Sequence, residues 1–270
     1  MTDMTHASSH ISIQGVHKVF QSGGQDVYAL KAIDLEIPRG EFVCLLGPSG
    51  CGKSTLLNAV AGFSLPSSGA IAVEGTAVSA PGPDRGMVFQ EYALFPWMTV
   101  EQNIAFGLQI KGEAKAAIQA KVSGLLDLLH LQDFRKRYPK DLSGGMRQRV
   151  AIARVLALDS PIMLMDEPFG ALDALTRRNL QDELLRLWTE LRKTILFVTH
   201  SIEEALYLAD RTVVMTYRPG TIKRDLRVDL PRPRDVASPA FNALKKELSL
   251  LLMEEQNRHE QDEFRGTAVD

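Results

Sequence analysis

The 270-residue sequence predicts an α/β fold in which a parallel sheet is interrupted by an inserted helical region. Three observations predict it. The run Phe42-Val43-Cys44-Leu45-Leu46 is continuously apolar, as in a strand buried on both faces, and leads straight into a glycine-rich loop and a helix. From about residue 101 to 158 the pattern turns helical, with a leucine-rich stretch at Leu125, Leu126, Leu128, Leu129 and Leu131. Beyond it the chain returns to alternating strand and helix, the order that builds parallel sheets.

The elements follow in order. Ile11, Ile13 and Val16, then Leu35 and Ile37, recur every two or three residues and read as strands. Pro38-Arg39-Gly40 makes a turn before the strand at 41–46. Residues 53–62 read as a helix ended by Gly62. Residues 70–73 and 87–89 are short strands, and 162–166 is an apolar strand ending in acids. A helix over 174–191, a strand over 194–199 and a helix over 202–209 restore the alternation. After Pro231-Arg232-Pro233, Ser238 caps a last helix with Pro239 at its first position. Phe241, Leu244, Leu248 and Leu251 or Leu252 form its apolar face. The expected organisation is a flexible N-terminus at 1–10 and a main domain at 11–235 with the helical insertion at about 95–160. An amphipathic helix at 236–256 and a disordered tail at 257–270 complete it.

Composition narrows the function. Hydrophobic residues at 45% and charged residues at 24% suit a globular chain, and the net charge of −2 lacks the basic excess of a phosphate-tracking surface, so nucleic acid is not expected as a partner. No apolar run approaches the ~18–20 residues that cross a bilayer. Residues 1–10 lack the basic-then-apolar order of a secretion signal. The two cysteines, Cys44 in a strand and Cys51 in the glycine loop, make no disulfide framework. These features point to the cytosol.

The loop Gly47-Pro48-Ser49-Gly50-Cys51-Gly52-Lys53-Ser54 matches G-x-x-x-x-G-K-[ST] in full, and Thr55 follows. Its glycines let backbone N–H groups turn inward to cradle phosphates, and the following helix adds its positive end. In that chemistry Lys53 neutralises the β- and γ-phosphates and Ser54 ligates Mg²⁺. Asp166 and Glu167 end the apolar strand before Pro168. Successive side chains point in different directions, so the two acids take different tasks: Asp166 on Mg²⁺, Glu167 on the attacking water. A second glycine turn, Leu142-Ser143-Gly144-Gly145, is placed to open a helix, where free N–H groups and the helix dipole favour an anion. Cys51 raises the prospect of sensitivity to thiol reagents.

This order of motifs resembles the ATP-binding subunits of ABC transporters. The resemblance implies the ABC ATPase fold: a RecA-like phosphate-loop core, an N-terminal antiparallel β subdomain and an inserted α-helical subdomain. It implies ATP and Mg²⁺ as cofactors. Asp166 and Glu167 become the Walker B aspartate and catalytic glutamate. Gln90 matches the Q-loop glutamine that reaches metal and water, and His200 the switch histidine at the γ-phosphate. Asp173 in Ala171-Leu172-Asp173 matches the D-loop that joins the two sites of a dimer. Phe20 matches the aromatic that stacks on adenine, with Tyr28 a second candidate. Ser143, Gly144 and Gly145 match the signature that contacts nucleotide bound to the opposite chain. Met146 departs from the glutamine commonest after that motif, at a variable position.

One phosphate loop and one signature imply a second ATP-binding subunit, either another copy or a paralogue. The run 82–90 followed by Leu94-Phe95-Pro96-Trp97-Met98-Thr99-Val100 resembles the nitrate/sulfonate/taurine importer ATPases, a pattern shared with bicarbonate importers. That implies membrane permease subunits as partners, an extracytoplasmic solute-binding protein in the same system, and a peripheral place on the cytoplasmic face of the membrane. Residues 92–98 are a candidate permease-docking segment; the alternative is that Phe95 and Trp97 pack beneath the helical region. The rival readings are an exporter subunit or a soluble ABC enzyme. A phosphate-loop kinase or GTPase has no use for Ser143-Gly144-Gly145, and no guanine-reading Asn-Lys-x-Asp is present.

Overall fold

A computed structural model describes residues 9–22 and 24–266. The first eight residues of the expected flexible N-terminus and the last four of the expected disordered tail lie outside the described residues. The chain divides into two compact units. One takes the chain up to Pro81 and again from Arg192, and the other takes Gly82–Leu191.

The first unit holds two groups of strands. β1 (Ser9–Ser22) pairs antiparallel with β2 (Gln25–Pro38) and with β4 (Ser68–Val73), which in turn pairs with β5 (Thr76–Ala77). This is the antiparallel β subdomain that the resemblance implied. β3 (Phe42–Leu46) is buried at every position and runs parallel to both β8 (Thr194–Thr199) and β9 (Arg211–Met215). Burial on both faces explains why its sequence is continuously apolar rather than alternating. β10 (Ile222–Arg227) pairs antiparallel with β9, and the forked guanidinium of Arg211 grips Asp225 across that pair at 2.6 Å. α1 (Lys53–Ala61) follows β3, and Gly62 in a left-handed conformation ends it. α6 (Ile202–Leu208) follows β8. Its C-terminal end is sealed by Arg234, 4% exposed, whose guanidinium donates to the carbonyls of Leu206, Ala209 and Val228.

α7 (Pro239–Gly266) closes the unit. Ser238 caps it through the Phe241 N–H at 3.3 Å, and Phe241 and Leu248 are fully buried. The helix continues ten residues past residue 256, where the sequence pattern placed its end. The polar sequence beyond 256 carries no apolar stripe, so periodicity alone does not extend the helix there.

In the second unit β6 (Arg85–Val88) and β7 (Ile162–Asp166) pair in parallel. Between them come α2 (Val100–Ile110), α3 (Lys115–Leu128) and α4 (Gly144–Ala157), and α5 (Ala174–Leu191) follows β7. Thr99 starts α2 with a capping box closed by Gln102. The unit is wider than the helical insertion expected at about 95–160, because β6, β7 and α5 belong to it. Among the described residues no helix is long and apolar enough to cross a membrane.

Candidate functional site

The glycine loop leaves β3 and is shaped by what a side chain would strike. A Cβ on Gly47 would lie 2.7 Å from Cys51 Sγ, and one on Gly52 would lie 2.7 Å from Leu30 Cδ2 and 2.9 Å from the Ala29 carbonyl oxygen. Gly52 also sits at φ +96°, and Gly50 at φ +76°, in the left-handed region that favours glycine. Gly52 immediately precedes α1 and no side chain caps that helix, so its first N–H groups are left for an anion. Lys53 is buried at the loop's centre, where its ammonium donates to the carbonyls of Gly47 and Pro48, both at 2.8 Å. Ser54 is exposed and Thr55 half-buried on the first turn of α1.

His200 is brought to this loop. Gly47, Pro48, Ser49 and His200 line one cavity of about 480 Å³. His200 is exposed between β8 and α6, on a turn that the neighbouring residues fix. Thr199 donates its hydroxyl to Glu204 at 2.6 Å, and Ser201 caps α6 by accepting from the Glu204 N–H at 3.3 Å. The same cavity is lined by Leu252, Gln256 and His259 of α7, residues that no motif pointed to.

Cys51 is fully buried, and burial pushes its thiol above the ordinary range although Lys53 pulls it down. Cys44 is buried and shifted upward further. Both thiols therefore stay protonated at neutral pH, and thiolate is the reactive form. The expected result is that iodoacetamide labels neither cysteine in the folded chain while both react promptly in denaturant. Rapid native labelling of Cys51, read by peptide mass spectrometry, would contradict this.

The aromatic candidates separate by register. Val19 stands opposite Tyr28 and Phe20 opposite Val27 on β1 and β2, so Phe20 and Tyr28 point to opposite faces of the ribbon. Both are exposed, and the Lys18 ammonium sits 5.2 Å from the centre of the Phe20 ring.

The second unit gathers the remaining candidates. Ser143 caps α4, accepting from the Met146 N–H at 3.3 Å, and is itself exposed. Gly144 and Gly145 are glycines because neighbours approach closely. A Cβ on Gly144 would lie 3.0 Å from Leu172 and 3.3 Å from the Tyr92 hydroxyl, and one on Gly145 would lie 2.6 Å from Thr176. The second glycine turn thus meets the segment that carries Asp173 and the segment that carries Gln90. Asp173 is exposed at the start of α5, where the Thr176 backbone N–H, 3.0 Å away, holds its carboxyl below the usual range. Gln90 is exposed after β6. Tyr92, which the sequence placed only in the candidate docking segment 92–98, holds this corner together: Arg147 of α4 lies 5.5 Å from its ring centre. A tyrosine between two motifs gave no periodic signal.

Asp166 and Glu167 are both half-buried at the end of β7. Glu167 has φ +41°, unusual for a residue with a side chain and costing about 1–3 kcal/mol. Gly170 turns back to donate to the Glu167 carbonyl at 3.2 Å. Such strain persists where the surroundings impose it and clusters at reacting centres. The segment 92–98 divides between its two readings. Phe95 packs on Phe106 with ring centres 4.6 Å apart and under Arg154, whereas Trp97 is 70% exposed.

A doubly buried strand, a glycine loop with a buried lysine and a helix with open N–H groups define a phosphate-loop nucleotide-binding protein. Comparison with known proteins narrows the class. Residues 30–170 match the family model described as ABC transporter. The nitrate import ATP-binding protein of Synechocystis is 48% identical over 238 residues, covering 88% of this chain and 90% of that protein. The aliphatic sulfonates import ATP-binding protein of Bacillus cereus is 44% identical over 238 residues, covering 88% of this chain and 94% of that protein. A solved dimeric ATP-binding cassette in a post-hydrolysis state, bound to ADP and Pi, superposes with a TM-score of 0.72 at 32% identity, covering 81% of this chain and 98% of that one. The chain belongs to the ABC transporter family, as an ATP-binding, ATP-hydrolysing member.

Proposed function

We propose that this chain is the ATPase subunit of an importer for a small anion such as nitrate, a sulfonate, taurine or bicarbonate. It would act at the cytoplasmic face of the membrane beneath permease subunits, in a system fed by an extracytoplasmic solute-binding protein. The observation that carries the reading is the presence of two phosphate-directed glycine turns on one chain, with the second one's serine exposed at a helix N-terminus. The similarity to nitrate and sulfonate import proteins supports the importer branch.

In this reading two chains, identical or paralogous, close head to tail around two ATP molecules. Residues 47–55 cradle the phosphates, Lys53 offsets their charge, and Phe20 stacks on adenine. Ser143, Gly144 and Gly145 of the opposite chain contact the γ-phosphate, and Asp173 joins the two sites. Glu167 orients and deprotonates the attacking water, with Gln90 and His200 holding the water and the γ-phosphate in line. Ser54, Gln90 and Asp166 offer hydroxyl, amide and carboxylate oxygens, a donor set that fits Mg²⁺ shared with phosphate oxygens. Mg²⁺ bound there would supply charge neutralisation on the phosphates.

Replacing Phe20 by Ala is expected to weaken ATP binding by about 1–3 kcal/mol, the worth of a base stack. Tyr28→Ala, on the other face, should change it little. Equal losses, read by fluorescent-nucleotide titration, would remove the assignment of Phe20.

For the permease, Trp97 and a groove of about 470 Å³ in the second unit, lined by apolar Ala105, Ile118 and Val122 and by charged Glu101, Glu113, Lys115 and Arg135, suit a short amphipathic cytoplasmic helix. The test is reconstitution of this chain with its permease in vesicles carrying the binding protein. Solute added on the binding-protein side should stimulate ATP hydrolysis, and Trp97→Ala should lower that stimulation. Solute-independent turnover with no permease association would favour a soluble ABC enzyme instead.

A further inference from the structure

The distal part of α7 stands at the mouth of the phosphate loop. Leu252, Gln256 and His259 line the same cavity of about 480 Å³ as Gly47, Pro48, Ser49 and His200. A second contact ties the helix to that loop. The His259 ring stacks on Tyr217 with centres 4.3 Å apart and planes 10° from parallel. Tyr217 in turn lies where a Cβ on Gly50 would come within 3.9 Å of its ring.

The two halves of α7 are held by different forces. The proximal half is anchored by Phe241 and Leu248, both fully buried. Beyond Leu248 the hold is mainly polar, with Leu251 and Leu252 only half-buried. Lys223 of β10 donates to Glu254 and Glu255, each at 2.6 Å, and to the Leu251 carbonyl at 3.3 Å. Glu255 is fully buried and also accepts from the Tyr217 N–H at 2.9 Å. A segment fixed by a few ion pairs and one ring stack opens at lower cost than one fixed by a continuous apolar core. Leu252 gives the cavity an apolar wall that offers phosphate no ligand, and Gln256 and His259 are the polar groups beside it that the test below separates from nucleotide ligands.

We propose that residues 252–259 of α7 are an autoinhibitory cover, latched by Lys223 and Glu255, that must leave the phosphate-loop mouth before a second chain's Ser143-Gly144-Gly145 can reach the γ-phosphate. This rests on the two-chain site described under Proposed function. The cover lowers the fraction of chains competent to pair.

The test uses the full chain in a Glu167→Gln background, expected to hold ATP unhydrolysed, and compares the parent with Gln256→Ala/His259→Ala and with Lys223→Met. The first variant trims the cover at the surface and the second releases the latch; Lys223→Arg serves as the charge-keeping control. ATP-driven dimerisation is followed by analytical ultracentrifugation, and ATP affinity is titrated at chain concentrations too low for dimers. If the cover is in place nine-tenths of the time on each chain, and both chains of a pair must be open, both variants should dimerise at about a hundredfold lower concentration. Single-chain ATP affinity should not fall, and Lys223→Arg should match the parent. Dimerisation unaltered in both variants overturns the cover alone. A marked fall in single-chain ATP affinity in Gln256→Ala/His259→Ala overturns it too, by making those residues nucleotide ligands. Absence of an ATP-driven dimer in every protein, parent included, overturns the two-chain site along with the cover.

Discussion

Glu167→Gln is expected to keep ATP binding and lose hydrolysis by roughly a thousandfold, the usual worth of a positioned general base. The glutamine amide has the carboxylate's shape and still hydrogen-bonds water, but it does not accept the proton that the attacking water must lose. The substitution alters no residue of the phosphate loop, 47–55. The backbone supports the assignment. The residue sits at φ +41° between the fully buried Met165 side of β7 and Pro168, a strained place for any side chain. A structural carboxylate would gain stability when that strain is relaxed, whereas a reacting one loses turnover when its chemistry alone is altered. The protein should then accumulate as an ATP-bound dimer, visible by size-exclusion chromatography. Near-normal phosphate release from this variant would remove Glu167 from its role.

The second large effect is expected from Ser143→Arg. Hydrolysis should fall to background while a single chain binds ATP as before. The substitution strips the N-cap of α4, at a cost of about 1 kcal/mol to the fold, and sets a cation against the positive end of that helix. Both costs are small beside the stability of a domain this size. Gly145→Val would be a poorer probe, since a Cβ there already meets Thr176 at 2.6 Å and the packing of α4 on α5 would change. Ser143 is exposed, so a lost activity reports on what approaches it rather than on its own neighbours. Phosphate release and nucleotide titration on the same preparation separate the two quantities.

Much of this was legible in the chain because the residues that carry chemistry also punctuate the backbone. Gly47, Gly50 and Gly52 are required by close approach or left-handed geometry, so the loop's function and its fold write the same letters. The strand Phe42–Leu46 announces its burial by being apolar throughout. Other parts left no such trace. β10, Ile-Lys-Arg-Asp-Leu-Arg, has only one buried residue, and its ion pair with Arg211 comes from a partner in another strand. The stretch of α7 at 251–255 is tied to β10 by Lys223, a tertiary contact that helical periodicity does not record. Tyr92 and His259 matter through their neighbours in space, and single residues of this kind carry no spacing to read.

The central claim is that one chain contributes half of each catalytic site, and mixing two disabled chains tests it most directly. A Lys53→Ala chain has a faulty phosphate loop with an intact signature, and a Ser143→Arg chain has the reverse. Each alone should be inactive. In a mixed dimer one site combines both faults, and the other combines the sound phosphate loop with the sound signature. ATP hydrolysis should therefore reappear on mixing, in proportion to the mixed dimer formed. A mixture that stays as inactive as its components, or a Ser143→Arg chain that hydrolyses ATP alone, would contradict the shared site.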